Sequence, residues 1–137
     1  MKFIFELSHK RSGQEMITSN DRLHFAVKAK MTAYLRYLAS LEVKRQFDKF
    51  KPVFNKTLFD KKHPCGVTIT VLSPTNRRFD ADNVQPTAKA LMDGMTDAGL
   101  WTDDNNKVVK FTKYQYGGLS GTDKFRLILN VEAMKGE

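Results

Sequence analysis

Residues 65–104 read CGVTITVLSPTNRRFDADNVQPTAKALMDGMTDAGLWTDD, and the fold class follows from them. CGVTITVL (65–72) alternates strictly between apolar and polar positions, the period of a strand with one buried face. Pro74, Thr75 and Asn76 end that strand, and an extended segment carries Arg77 to Asp82. A helix is expected over about Val84 to Ala98, with Val84, Ala88, Leu91 and Met95 on one face. Pro86 falls in its first turn, where a missing N–H does no harm. Gly99 stops it as the left-handed residue past the last turn.

Upstream, KFIFEL (2–7) alternates as a strand, and the polar stretch 8–20 reads as a loop. Asp21 is placed to cap a long helix from about Arg22 to Phe47. On that helix Val27, Met31, Tyr34, Leu38 and Leu41 recur at steps of four and three, the expected core face. Lys28, Lys30, Arg36, Lys44 and Arg45 fall largely off it, toward solvent or a partner. Residues 48–64, with two prolines and many lysines, suggest an irregular basic connection with room for one short helical turn. Downstream of LWTDDNN, KVVKFTKYQY (107–116) and KFRLILNVEAM (124–134) read as two strands joined as a hairpin by GGLSGTD (117–123). The resulting order, β-α-β-α-β-β, predicts a single α/β (α+β) domain over 1–137, its mixed sheet carrying helices on one face.

The chain has 137 residues, 41% of them apolar, enough for one core but not for two. Cys65 is the only cysteine, so no internal disulfide forms and a reducing, cytoplasmic setting is expected. MKFIFELSHK has too short an apolar run for a signal peptide, and no stretch reaches the 18 or more apolar residues of a membrane span. The expectation is a soluble protein.

Net charge is +8, which points to a polyanionic partner, although a solvated basic surface would give the same total. Its distribution says more. From Arg77 to Asp104 there are six acidic residues and three basic ones, a local −3, leaving +11 on the remainder. A metal-dependent nuclease needs that contrast, with basic surface for phosphates and carboxylates for the ion that cuts them.

Asp80 and Asp82 are two apart, so in extended backbone both side chains point the same way, about 6–7 Å from each other. Two or three such carboxylates suffice for Mg²⁺, which takes oxygen ligands and keeps several waters. The Asp103–Asp104 pair lies beyond the far end of the following helix, and spacing alone does not return it to Asp80. Asp82 has a competing reading as a helix cap. Lys89 can equally form an i,i+4 pair with Asp93. Asn83 reads as a cap or a ligand-orienting amide, and Trp101 as a hydrophobic anchor or a platform for an unpaired base. His9, His24 and His63 are too scattered for a zinc site.

Residues 77–104 resemble the core motif of the RusA family of Holliday-junction resolvases. The matching residues are Arg77-Arg78, then Asp80-Ala81-Asp82-Asn83, Lys89, and Ala98-Gly99-Leu100-Trp101-Thr102-Asp103-Asp104. More loosely, Ser19-Asn20-Asp21-Arg22-Leu23-His24 is similar to the segment opening the first helix in phage-type members. One departure stands out: well-known bacterial members place the lysine four residues after the second Asp, where this chain has Pro86, whereas Lys89 follows Asp82 by seven. The resemblance implies a structure-selective endodeoxyribonuclease of bacterial or prophage origin that resolves four-way junctions in DNA recombination and repair. It implies a homodimer, and Mg²⁺, with Mn²⁺ as a substitute, held by Asp80, Asp82 and Asp104. Lys89 would be the electrostatic clamp, with Arg77, Arg78 and Asn20 on DNA. The alternatives are a non-catalytic DNA-binding protein of the same fold, or a Mg²⁺-dependent nuclease acting on flaps or single strands.

Overall fold

The alternating segment CGVTITVL becomes one of the two inner strands of the sheet. The computed structural model describes residues 1–49 and 57–134. Its elements are β1 (Lys2–Leu7), α1 (Phe25–Lys49), β2 (Cys65–Ser73), a 3₁₀ turn (Ala81–Val84), α2 (Gln85–Asp97), β3 (Val109–Leu119) and β4 (Phe125–Ala133). They form a four-stranded mixed sheet in the order β1-β4-β2-β3. β4 runs antiparallel to both β1 and β2, and β3 runs parallel to β2. Among the described residues no helix is long and apolar enough to cross a membrane.

Strand alternation sends one set of side chains to each face. Phe3, Phe5 and Leu7 of β1, Val67, Ile69 and Val71 of β2, and Leu127, Leu129 and Val131 of β4 are buried. Leu35, Ala39 and Val43 of α1, with Ala88, Leu91 and Met95 of α2, join the same core from above that face. The opposite face carries Lys2, Ile4 and Glu6, and both helices leave it open. The predicted element order and fold class are as observed.

Three expectations change. First, the last two strands are not a hairpin, because β4 lies between β1 and β2 while β3 pairs on β2's other side. Gly117 and Gly118, read as loop, belong to β3. A Cβ on Gly117 would lie 2.6 Å from Thr70 Cγ2, so the absence of a side chain lets the strand end press onto β2. Second, α1 buries Leu35, Ala39 and Val43 at i, i+4, i+8, whereas Val27, Tyr34 and Leu41 of the expected stripe are exposed. Small Ala39 was the unseen signal, for α1 crosses α2 at a point where bulk is excluded. A Cβ on Gly94 would meet the Arg36 carbonyl oxygen at 2.1 Å and Ala39 Cβ at 3.0 Å. Third, Asp21 does not cap α1. The helix begins at Phe25, and His24 Nδ1 accepts the Ala26 N–H at 3.2 Å.

The end of α2 behaves as read. Gly99 has φ +83°. Its N–H donates to the Thr96 carbonyl at 3.0 Å and that of Leu100 to Met95 at 3.1 Å, a Schellman cap with Leu100 and Met95 both buried. Of the connection expected over 48–64, residues 50–56 lie outside the described residues. Residues 57–64 are irregular and tied down by a parallel bridge between Phe59 and Trp101.

Candidate nuclease site

Where β2 ends, Ser73 Oγ donates to the Thr75 carbonyl at 2.7 Å and lies 2.7 Å from the Tyr116 hydroxyl, fixing the turn into Arg77-Arg78-Phe79-Asp80. Phe79 packs on Phe125, ring centroids 4.9 Å apart, which anchors the segment to β4 while leaving both arginines exposed. Asp80 is extended (φ −81°, ψ 121°), but Ala81–Val84 then winds into a 3₁₀ turn. The same-side geometry expected for Asp80 and Asp82 therefore does not hold, since a 3₁₀ turn rotates the chain by about 120° per residue. Asp80 faces Arg78, with Oδ1 3.7 Å from Nε. Asp82 stands near Tyr114 of β3, whose phenol is held above its usual pKa by burial first and by the Asp82 charge second.

Neither 3₁₀ turn nor α2 has a side-chain cap. Asp82 and Asn83 are therefore not spent on capping, and the structure removes the helix-cap alternative for both. Asn83 acts instead through its backbone carbonyl, which accepts the Ser19 N–H at 2.8 Å.

Lys89 joins both of the partners weighed for it. Its Nζ lies 2.7 Å from Asp104 Oδ2 and 3.1 Å from Asp93 Oδ1, the second an i,i+4 pair within α2. The Asp104 hydrogen bond comes first among the causes that hold the Lys89 ammonium above its usual pKa. Burial, the largest single influence, works to raise the Asp104 carboxyl, but Lys89 and the hydrogen bonds of the turn together outweigh it, and the net shift is downward. Asp104 thus does return to α2, to Lys89. Asp103 shapes that turn, its Oδ1 accepting the Asp104 N–H at 2.7 Å and its Oδ2 the Asn105 amide at 3.1 Å. Trp101 is buried, with Nε1 donating to Thr96 Oγ1 at 2.6 Å, so it anchors the turn and presents no face to a base.

Among the described residues no three His, Cys, Asp or Glu side chains gather closely enough to hold a metal ion. Carboxylate oxygens are the right donors for Mg²⁺. Their arrangement, however, does not fit a three-carboxylate set, with Asp80 turned to Arg78 and Asp104 to Lys89.

The residues marked for DNA do converge. Asn20, Arg77 and Arg78 line one cleft of about 390 Å³ whose floor includes Phe79 and Phe125. His9, missed in the sequence because its partner is twelve residues away, lines it too. His9 Nε2 lies 3.0 and 3.1 Å from the two Asp21 oxygens. Asp21 also accepts from the Thr18 N–H at 2.8 Å and from Gln14 at 3.1 Å, so it ties loop 8–21 down beside the arginines.

Neither protein-family models nor curated proteins give a match to this chain.

Proposed function

We propose that the chain is a structure-selective endodeoxyribonuclease that resolves four-way DNA junctions by paired nicks, in the manner of the RusA family its 77–104 segment resembles. The observation that carries this is the pairing of Lys89 on α2 with Asp104 of the turn that follows it, together with an arginine-lined cleft and carboxylates at Asp80 and Asp82 that cap nothing. A surface lysine needs only its i,i+4 partner; Lys89 also reaches the turn beyond its own helix. Arg77 and Arg78 would hold backbone phosphates, and the Lys89 ammonium would offset charge that grows on the phosphoryl oxygens as the bond breaks. Asn20 would contact DNA at the cleft's other wall. Paired nicks call for two sites related by a twofold axis, hence a homodimer.

The family resemblance implies Mg²⁺ or Mn²⁺ at Asp80, Asp82 and Asp104. Because these carboxylates are not gathered, no step is assigned to the ion. The same fact favours one second reading, a DNA-binding protein of this fold that does not cut.

The Asp82→Asn variant separates the two. Asn matches Asp in shape, and Asp82 makes no cap bond, so folding should be unchanged. Junction binding should persist or tighten, since a negative charge near phosphate is removed. Cleavage with Mg²⁺ should fall on the order of 100-fold, the scale of losing one preorganised charged group. Full cleavage by Asp82→Asn would remove Asp82 from the site, and no cleavage by the unaltered chain would favour the non-catalytic reading.

A further inference from the structure

Four lysines, Lys61, Lys62, Lys107 and Lys110, line a second cleft of about 440 Å³. All four are exposed, and among the described residues none has an ion pair. The two pairs come from segments 45 residues apart, brought together because β2 and β3 pair in parallel, with the Cys65 N–H donating to the Val108 carbonyl at 2.8 Å.

Their backbones are held in place. Asp60 Oδ1 accepts the Lys62 N–H at 2.9 Å and the His63 N–H at 2.7 Å. Asn105 Oδ1 accepts the Lys107 N–H at 3.0 Å. Asp60 is thus engaged by these backbone N–H groups and by the His63 imidazole, Nδ1 3.1 Å from Oδ1, rather than by an ammonium; the His63 backbone bond comes first among the causes that hold its carboxyl below the usual pKa. The cleft is joined to the Asp103–Asp104 turn, for Phe59 bridges to Trp101 and the Thr102 N–H donates to the Phe59 carbonyl at 3.1 Å.

We infer that this lysine cleft is a phosphate-backbone site that grips a DNA arm beyond the nicking site. Four like charges repel unless an anion sits among them. Among the described residues the lining is lysine, four mobile ammoniums that answer charge density rather than a fixed shape, which suits a duplex carrying one negative charge per about 1.7 Å better than a sparsely charged acidic peptide. This inference rests on the nuclease reading for its substrate but not for its test, which is run without divalent metal.

Binding of a fluorescein-labelled four-way junction and a 20-base-pair duplex would be followed by anisotropy across a salt series. Three chains are compared: the unaltered protein, the fourfold Lys→Ala variant and the fourfold Lys→Arg variant. Loss of these contacts should reduce the slope of log affinity against log salt by about 0.9 for each phosphate released. Affinity in low salt should fall at least tenfold in the alanine chain and be restored in the arginine chain. All three should share one melting temperature, since the side chains are exposed. An unchanged slope in the alanine chain would overturn the inference while leaving the nuclease reading intact. Lysine-dependent binding of labelled poly-glutamate with no lysine-dependent binding of either DNA would also overturn it, in favour of an acidic protein. Normal lysine-dependent binding with no cleavage on adding Mg²⁺ would support the cleft and remove the nuclease.

Discussion

Lys89 holds Asp104 and Asp93 at once, and its replacement by Ala distinguishes a structural bridge from a catalytic charge. Its side chain is mostly exposed, so as a bridge alone it contributes little stability. If it offsets charge on the reacting phosphate, Lys89→Ala should lower single-turnover cleavage about tenfold or more with junction affinity nearly unchanged. Cleavage within twofold of normal would take Lys89 out of the chemistry. Asp21 carries the pH dependence of the cleft wall. Its carboxyl meets a burial cost, the largest influence on it, but hydrogen bonds from Thr18 and His9 lower the pKa overall. A depressed acid contributes stability above its unfolded pKa, near 3.9, and that contribution is lost as pH falls through the folded value. Asp21→Asn should therefore cost about 1–3 kcal/mol at pH 7 and less near pH 2, read by denaturant melts at the two pH values. An equal loss at both would mean that the charge of Asp21 is not what ties the loop.

Between the elements, the α1–α2 crossing is the most constrained contact. Gly→Ala in an exposed helix interior would stabilise by about 1 kcal/mol. At Gly94 the new methyl would lie 2.1 Å from the Arg36 carbonyl oxygen, a backbone atom that cannot rotate away. Overpacking of this kind costs about 1–3 kcal/mol, so Gly94→Ala should be net destabilising, with the melting temperature lowered. A raised melting temperature would show the helices free to separate. This crossing also marks what the sequence could tell. Strand periods, Pro86 at the start of α2 and Gly99 at its end are local signals and were legible. The buried face of α1 was not, because Leu35-Ala39-Val43 and Val27-Tyr34-Leu41 are both helical stripes and the choice between them is made by tertiary packing, including the close approach of Gly94 to Ala39. Strand order escaped for the same reason: the insertion of β4 beside β2 is a tertiary choice, and glycines in an edge strand read as loop. At the site, the residue types were legible but their closure was not. The 3₁₀ turn parts Asp80 from Asp82, while Asp104 returns to Lys89, fifteen residues back in sequence.

For the molecule as a whole, the uneven charge separates an acidic island from a basic remainder, and two basic clefts flank the island's ends, one built from its own first arginines and one from the remainder. One holds Arg77 and Arg78 beside the Phe79–Phe125 floor; the other holds four lysines beyond the Asp104 turn. A junction-resolving enzyme needs such grips on more than one arm and two copies of its site. The most direct test is to incubate the purified protein with Mg²⁺ and, in parallel, a synthetic four-way junction, a flap and a linear duplex, each labelled on every strand. The nuclease reading predicts symmetric paired nicks in the junction, at least tenfold faster than any cut in flap or duplex, and none in chelator. Equal cutting of all three substrates, or cutting of the flap alone, would contradict it.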